Sequence, residues 1–364
     1  MTILLLVHGA IHGLGFVKAF SLAAIPQLTQ PISRPAGVLW LIAGLLVIAS
    51  AVLPTRWLWL VGGLALIASQ AAIGTAWSDA KLGTLANLVL LLAVVYSFAS
   101  TGPLSFAVDY QRDAATALKA SLSAAPLTDA DLAGLPTQVQ RYVRASGAIG
   151  APRVYNLRAR WRGRMRGSAR DAWMPIEAEQ LNTFAPQSVR LFHMRARMKG
   201  VPVDVFHRFV ASTATFRVRL LSMIPIVEAR GPELSRAETV TILNDMCLLA
   251  PAALIDPALR WRVINEQRVG VTFTRGAETV HAELRFDADG QLEDFASDDR
   301  LRASPDGKTF TRQRWSTPTG DYRSFAGRRV GAHGRARWHA PEGAFDYADF
   351  ELEAVEYNVA TSNR

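Results

Sequence analysis

The sequence predicts an α-helical transmembrane bundle of four helices, followed by a mainly antiparallel β domain built as a curved sheet or open barrel with one plugging helix. Three observations predict this fold class. The first hundred residues hold four long apolar stretches, the remainder is rich in charge, and most of that remainder alternates between apolar and polar residues with a period of two. We place the boundaries of the bundle, a helical connector and the β domain at 1–105, 106–150 and 151–364.

Charge is distributed unevenly along the 364 residues. Residues 1–105 contain four basic side chains and one acidic side chain, whereas residues 106–364 contain 36 basic and 30 acidic ones. This partition excludes a simple soluble protein and a disordered chain, and the single cysteine excludes a disulfide-stapled domain. The basic residues interleave with acidic ones and no recognition motif is present, so we predict no nucleic-acid partner. Anionic lipid accounts for the basic surplus.

The four apolar stretches cover residues 3–24, 36–53, 57–77 and 84–101. Each has about 18 to 22 residues, which is enough to cross a hydrocarbon core of about 30 Å. The first stretch lacks a basic segment before it and three more stretches follow, so it is not a cleavable signal peptide. We therefore predict a multi-pass protein of the cell membrane with lipids as partners. The loop charges do not decide on which side the β domain lies.

Two histidines stand out within the first apolar stretch. His8 and His12 are four residues apart and therefore share one face of a helix. Polar groups are costly in lipid, so these side chains need partners. Either they form hydrogen bonds to neighbouring helices, together with Gln70 and Asn87, or they hold a haem, a metal or a quinone. We predict no cofactor and no metal, and keep a quinone or haem as the alternative.

The connector is predicted to be helical. An amphipathic helix covers residues 109–122, a helix-start signal lies at Thr128–Asp131, and Pro136 opens another short helix.

Strands begin after Pro152, where the period of the pattern changes to two. Residues 155–166 place arginines 158, 160, 162, 164 and 166 on one face, which requires carboxylates, phosphates or open water opposite. Short glycine-containing turns between later strands demand antiparallel neighbours. The later strands are predicted at 189–199, 203–210, 213–221, 261–265, 269–274, 279–287, 292–297, 310–317, 334–338 and 347–357.

One helix interrupts the strands after Gly231-Pro232. Ser235 and Glu238 have the spacing of a capping box, which predicts a helix that starts at Ser235. An apolar stripe follows and includes the lone Cys247. Such a helix fills the concave face of a curved sheet, and its cysteine is interpreted as a buried structural thiol.

Candidate chemistry is sparse, since no nucleotide-binding, metalloprotease or serine-hydrolase motif is present. Asp298 and Asp299 are adjacent at a strand end, where they coordinate a cation, act as an acid–base pair or form a turn. His193 and His207 lie on strands joined by a short turn, an arrangement that allows them to face each other, although spacing alone does not identify their partners. These four residues are the catalytic candidates. Whether the protein is an enzyme stays open.

Ligand-binding candidates come from the arginines and one tyrosine. A charge network inside a β cavity is either structural or a recognition site for an anionic head group. The predicted head-group residues are Arg158, Arg160, Arg300, Arg314 and Tyr322.

Several motifs carry a resemblance to known families. Residues 232–246, 249–254, 295–300 and 314–318, with Trp338-His339 and Tyr357-Asn358, resemble an uncharacterised bacterial domain family of unknown function over roughly 130–360. That resemblance implies no activity. His8–His12 and Trp77–Thr84 resemble DoxX-type four-helix proteins, which implies a quinone-linked redox role. By architecture alone, the β domain is similar to carrier folds of the LolA and LppX kind, which hold acyl chains.

Three functions are therefore expected. The first is a membrane-anchored β domain that binds a lipid or another amphiphile at the membrane surface. The second is a membrane-anchored enzyme that uses the Asp, His and Arg cluster, and the third is a tethered interaction module without a small ligand. The oligomeric state stays open.

Overall fold

The chain folds into apolar helices followed by a long antiparallel sheet. A computed structural model describes residues 1–119, 125–184 and 187–360. Within them, the α-helices are α1 (Thr2–Ala19), α2 (Arg34–Val52), α3 (Thr55–Thr75), α4 (Trp77–Ala80), α5 (Gly83–Thr101), α6 (Phe106–Ala117), α7 (Thr137–Ala145) and α8 (Pro232–Leu249). Two short 3₁₀-helices lie at Asp129–Leu132 and Pro251–Ala253.

Sixteen strands are present in the described residues. They are β1 (Asn156–Met165), β2 (Met174–Thr183), β3 (Val189–Met198), β4 (Val201–Val210), β5 (Thr213–Leu220), β6 (Ile224–Arg230), β7 (Leu259–Val263), β8 (Arg268–Arg275), β9 (Glu278–Phe286), β10 (Leu292–Ser297), β11 (Leu301–Ala303), β12 (Phe310–Arg312), β13 (Trp315–Ser316), β14 (Thr319–Phe325), β15 (Arg328–Ala340) and β16 (Gly343–Tyr357).

The described residues divide into two compact units. The helical unit contains residues 1–108 together with Leu221–Met223, and the β unit contains the remaining residues from Asp109 onward. The 3₁₀-helix and α7 of the predicted connector contribute Leu132, Val139 and Tyr142 to the main core of the β unit. The three boundaries that we predicted stay predictions.

The helical unit contains four helices long and apolar enough to cross a membrane, judged by length and composition. Three of them are α1, α2 and α3, and the fourth apolar segment includes α5. Small residues allow close packing, since a Cβ on Gly15 would lie 2.2 Å from the Trp40 ring. Leu5, Val47 and Leu90 are fully buried between the helices.

The β unit is organised around one sheet of fourteen strands. Its order is β6-β5-β4-β3-β2-β1-β16-β15-β13-β10-β9-β8-β7, and β14 also pairs with β15. All the pairings are antiparallel. Strands β6 and β7 are the two edges, so the sheet is open and forms no closed barrel. Strands β11 and β12 form a separate hairpin.

Helix α8 packs on one face of this sheet, which we call the inner face. It contacts β5 and β6 from one half of the sheet order and β9, β10 and β15 from the other half. Most of its residues are buried, on every side of the helix. The predicted plugging helix is therefore present, although it is buried all round rather than amphipathic.

The predicted start of this helix is wrong by one turn. Gly231 is the N-cap, with a φ of +127° that suits glycine, and Pro232 is the first helical residue. Ser235 lies inside the helix, where its hydroxyl donates to the carbonyl of Gly231 and accepts from the N–H of Ala214. Glu238 is buried and points to the sheet. Proline at the first position explains the earlier start, because its missing N–H needs no partner there.

The sequence located most strands but overlooked some. Strands β2, β6, β11 and β14 were not predicted. The predicted helix at 109–122 corresponds to α6, which ends at Ala117, and residues 120–122 lie outside the described residues.

A glycine at the centre of the sheet generates the first prediction. Gly163 on β1 pairs with Phe350 on β16, and a Cβ there would lie 2.3 Å from the carbonyl oxygen of Asp349 and 2.7 Å from the Phe350 ring. We expect Gly163→Ala to lower the free energy of unfolding by about 1–3 kcal/mol, because backbone cannot move aside cheaply. Denaturant unfolding of the full chain in detergent, followed by tryptophan fluorescence, measures this change.

The matched control is Gly320→Ala on β14, where a Cβ meets no atom within 4 Å. A loss of stability of equal size in both variants would contradict the steric explanation.

Candidate functional site

The inner face of the sheet and α8 enclose a cavity of about 670 Å³. Strands β1–β5, β15 and β16 form one wall, α8 forms the second, and the β11–β12 hairpin covers part of it. Pockets of this volume are typical of sites for small organic ligands.

The lining is mainly apolar and aromatic. The alternation of each strand turns every second side chain toward the cavity, so that Met194 and Val205 lie side by side on β3 and β4, and Phe192 and Phe216 flank His207 in the neighbouring row. Other apolar lining residues are Trp161, Met165, Leu248, Phe310, Trp315, Trp338 and Phe350. Such a surface suits hydrocarbon chains.

A buried ion network joins α8 to the sheet at one part of the lining. Arg190 of β3 places Nη1 3.1 Å from Glu238 Oε2 and Nε 2.8 Å from Asp245 Oδ2. The two carboxylates are seven residues apart on α8, which puts them on the same face two turns apart. All three side chains are at most 10% exposed. One guanidinium group therefore pairs with two buried acids, and the second cation needed for full neutralisation comes from elsewhere in the lining.

Amides of β2 complete the coordination of Asp245. Gln180 Nε2 and Asn182 Nδ2 each donate to Asp245 Oδ2 at 2.8 Å, so that this oxygen accepts three hydrogen bonds. Trp161 Nε1 donates to Gln180 Oε1 at 2.9 Å. Every member of this network holds the next in a fixed orientation.

The pKa values of the two acids shift in opposite directions. Burial raises the pKa of Asp245, and Arg190 and Asn182 act against the rise. Burial alone would also raise the pKa of Glu238, but the neighbouring His207, Arg190 and Arg300 hold it below its usual range. Glu238 is therefore the acid whose negative charge the site stabilises.

His207 lies beside Glu238 in the cavity. Its Nε2 is 3.2 Å from Glu238 Oε1, yet this nitrogen makes no hydrogen bond of acceptable geometry within the described residues. Burial lowers the pKa of His207 to about 4, with Glu238 opposing the shift. At neutral pH the imidazole is therefore uncharged.

Two further arginines line the cavity without a carboxylate partner among the described residues. The Arg300 guanidinium lies 4.5 Å from the Trp315 ring centre and 5.3 Å from that of Trp338, and its Nε donates to Thr241 Oγ1 at 3.3 Å. Arg302 lies over Phe345 and donates to Gln313 Oε1. Aromatic rings hold both cations in place, and neither cation forms an ion pair in the described part of the chain.

The structure places the other predicted head-group residues away from the cavity. Arg158 and Arg160 lie on the opposite, outer face of β1, because the cavity side of this strand carries Trp161 and Met165. Arg314 pairs with Asp298 at 3.1 Å, and Tyr322 donates to the carbonyl of Leu292. Of the five candidates, only Arg300 lines the cavity, and binding by the rest stays a prediction.

The four catalytic candidates are not brought together. Asp299 is buried and accepts hydrogen bonds from Arg236 and from the backbone and ring of His281. Asp298 is exposed. His193 lies on the outer face, with Nε2 2.8 Å from Asp204 Oδ1.

His193 and His207 do not face each other, although the short turn between their strands would allow it. In the β3–β4 register, His193 pairs with Phe206 and Phe192 pairs with His207. The two histidines are offset by one residue and therefore point to opposite faces of the sheet.

The helical unit contains a second buried polar cluster. His8 Nε2 lies 3.2 Å from Ser69 Oγ and 3.1 Å from Asn87 Oδ1, and His12 Nε2 lies 2.8 Å from the same Ser69 Oγ. Asn87 donates to Gln70 at 3.0 Å. These contacts are the interhelical hydrogen bonds that we considered for the two histidines. Within residues 1–119, 125–184 and 187–360, no group of three or more His, Cys, Asp or Glu side chains is placed to hold a metal ion.

Sequence reasoning missed Arg190, Gln180, Asn182, Asp245 and Arg302. One signal was available, since Glu238 and Asp245 interrupt the helix pattern at a spacing of seven. Two acids on one face of a buried helix require a cation opposite. Nothing in the pattern identifies Arg190 as that cation.

The fold and the cavity define a two-unit chain, with a bundle of apolar helices followed by an open antiparallel sheet that encloses an apolar cavity beside one buried helix. The model of a family of unknown function, DUF6544, matches residues 125–350. The chain belongs to this family. The match starts after the helical unit and leaves the DoxX resemblance of residues 1–105 untested. No curated protein matches the chain.

Three solved structures are similar to the chain at low identity. A LolA superfamily protein from Nitrosomonas europaea is 8% identical, with 61% of this chain and 92% of that chain covered and a TM-score of 0.30. A putative outer membrane lipoprotein-sorting protein domain from Vibrio parahaemolyticus is 7% identical, with 57% and 87% covered and a TM-score of 0.31. A DUF1329 family protein from Desulfovibrio piger is 10% identical, with 58% and 88% covered and a TM-score of 0.31. At these TM-scores the likenesses carry no argument about function.

Removal of Arg190 tests the ion network. We expect Arg190→Met to lower the free energy of unfolding by about 3–5 kcal/mol at neutral pH, because two buried carboxylates lose their cation. The cost should shrink as the pH falls, since protonated Glu238 and Asp245 need no counter-charge. Denaturant unfolding of the full chain across a pH series measures both effects.

The matched control is Arg195→Met on the same strand, where the arginine is exposed. It should cost less than about 1 kcal/mol. Equal costs for the two variants would contradict a network role for Arg190.

The histidine of the cavity predicts a pH dependence of stability. Between the ordinary pKa of 6.5 and about 4, unfolded chains protonate His207 whereas folded chains do not, so stability falls as the pH falls through this window. We expect His207→Gln to lose stability less steeply than the wild type over the same window. Parallel pH profiles of the unfolding free energy for the two proteins would overturn this prediction.

Proposed function

We propose that this chain is a multi-pass membrane protein whose β unit binds an amphiphile with an anionic head group. The apolar wall of the cavity takes the hydrocarbon part, and Arg300 with Arg302 meets the head. The observation that carries the proposal is this pairing of an apolar cavity of about 670 Å³ with two lining arginines that lack a carboxylate partner in the described part of the chain.

Charge supports an anionic rather than a neutral head. Arg190 pairs with both Glu238 and Asp245. Arg190, Arg300 and Arg302 together carry three positive charges against the two negative charges of these acids, so one positive charge remains for an anionic head group. An incoming carboxylate or phosphate forms charge-assisted hydrogen bonds with guanidinium groups in a site of low dielectric constant.

The membrane part of the proposal is supported by the four apolar helices. Their length and composition suit a bilayer, and most large apolar side chains exposed in the structure, such as Ile3, Ile67 and Leu92, belong to them. In water such a surface is unfavourable, whereas in lipid it is solvated. The helices then anchor the β unit in the cell membrane, next to a source of amphiphiles.

A second candidate function is an enzyme that acts on the amphiphile. His207 favours it, because a neutral imidazole beside an ionised Glu238 and a cationic Arg300 is a possible general base in the cavity. Asp298 and Asp299 lie apart from this group. An amphiphile recovered unchanged after incubation supports the binding function alone, and an altered one supports the enzyme.

The matched pair of Arg300→Gln and Arg160→Gln tests the binding function. We expect the full chain in a non-ionic detergent to bind a fluorescent fatty acid, and Arg300→Gln to weaken that binding roughly tenfold or more through loss of a charged hydrogen bond. Arg160→Gln on the outer face should bind like the wild type. The methyl ester of the same probe lacks the negative charge, so it should not distinguish the variants.

Solvent extraction of the purified chain supplies an independent check. A stoichiometric anionic amphiphile is expected in the extract. The proposal would be contradicted if Arg160→Gln weakened binding as much as Arg300→Gln, or if the full chain did not bind the fluorescent fatty acid.

A further inference from the structure

One end of the sheet presents two neighbouring hairpin turns. The β1–β2 turn covers residues 166–173 and the β3–β4 turn joins Met198 to Val201. The register pairs Met165 with Met174 and Ile176 with Ala196, so both turns lie at the same end. We call these two turns, with Arg197, the hairpin end.

The hairpin end combines exposed apolar side chains with cations. Met198 is 40% exposed and Val201 is 36% exposed, and between them lies the exposed Lys199. Trp173 is half-buried in the other turn, under the guanidinium groups of Arg164 and Arg166. The remaining charges are Arg170, Arg197 and the single acid Asp171. Apolar residues, an indole and a basic surplus are the features of surfaces that bind anionic bilayers.

The inner face becomes less polar toward the hairpin end. On β4 the side chains of the inner face are, in order toward the hairpin end, His207, Val205, Val203 and Val201. On β3 they run from Arg190 through Phe192, Met194 and Ala196 to Met198. Polar groups thus lie at one part of the cavity, and an apolar path leads from them to the end of the sheet.

The cavity itself extends to the hairpin end. Its lining includes Met165, Arg166 and Gly167, where β1 passes into the β1–β2 turn. A ligand with its head near Arg300 therefore has an apolar route for its chain toward these turns.

We propose that the hairpin end docks on an anionic lipid bilayer and is the portal through which the amphiphile passes between bilayer and cavity. This inference rests on the proposed function and adds the place and the orientation of transfer. Met198 and Val201 enter the headgroup region, Arg170, Arg197 and Lys199 contact lipid phosphates, and the chain of the amphiphile slides along the apolar path. The partner is the membrane surface itself.

The experiment compares two ends of one strand in the full chain. Single cysteines are placed at Val201 and, as the matched control, at exposed Ala211 in the β4–β5 turn, in a Cys247→Ala background. Ten residues of β4 separate these sites by about 30 Å. Each variant carries an environment-sensitive fluorophore and is incorporated into bilayer discs of phosphatidylcholine, with or without an equal part of phosphatidylglycerol, that contain nitroxide-labelled lipid.

We expect at least a severalfold stronger quenching at position 201 than at position 211, and stronger quenching at 201 in the discs with phosphatidylglycerol. Replacement of Arg197 and Lys199 by glutamine should remove that gain and leave position 211 unchanged. Equal quenching at both positions, or no effect of phosphatidylglycerol, would overturn the docking.

The two proposals fail separately in this design. If the chain binds the fluorescent fatty acid but quenching is no stronger at position 201 than at position 211, the docking proposal is contradicted and the binding function is still supported. If the label at position 201 is quenched but the chain does not bind the fatty acid, the docking surface is supported and the proposed binding of an amphiphile is contradicted.

Discussion

The β unit depends on the pairing of two buried carboxylates with one arginine. Helix α8 is enclosed on nearly every side, and a helix that carries Glu238 and Asp245 cannot be buried unless a cation meets both. Arg190 does so from the start of β3, and the amides of Gln180 and Asn182 fix the remaining geometry. The ion network therefore joins α8 to β2 and β3 beside the cavity, and Glu238 and Asp245 contribute to the polar part of the cavity lining.

Much of the fold was predictable because alternation and apolar length are local signals. The four apolar helices, most of the strands and the helix after Gly231 all follow from such patterns. Strand β2 was overlooked because its inner face carries Ile176, Ala178, Gln180 and Asn182, and the two buried amides break the apolar period. The start of α8 was misplaced because Ser235 and Glu238 fit a capping box, although both serve tertiary contacts. Buried polar residues thus caused both errors.

The candidate site was harder to predict, since arginines look alike in a sequence. The arginines on one face of β1 were predicted to need a neutralising partner, because five of them alternate in a row along the strand. The structure provides carboxylate partners for that face. Arg162 pairs with Glu353 at 2.9 Å and Arg164 with Asp349 at 2.7 Å. Arg300 and Arg302 sit in no such row and stack on aromatic rings instead. The arginines of β1 have carboxylate partners, whereas Arg300 and Arg302 have none in the described residues. This difference depends on residues far apart in the sequence, so the spacing of residues along the chain does not reveal it.

The position of β16 in the sheet has a consequence for biosynthesis. This strand follows all the other described strands in the sequence, yet it lies in the middle of the sheet order, between β1 and β15. Leu157 meets Tyr357, so one of the central ladders joins the two ends of the β unit. The strands on either side of it form two separate meanders that emerge earlier and have local pairings of their own. The two halves of the cavity wall are therefore joined only after β16 has been synthesised, long after the apolar helices have been made.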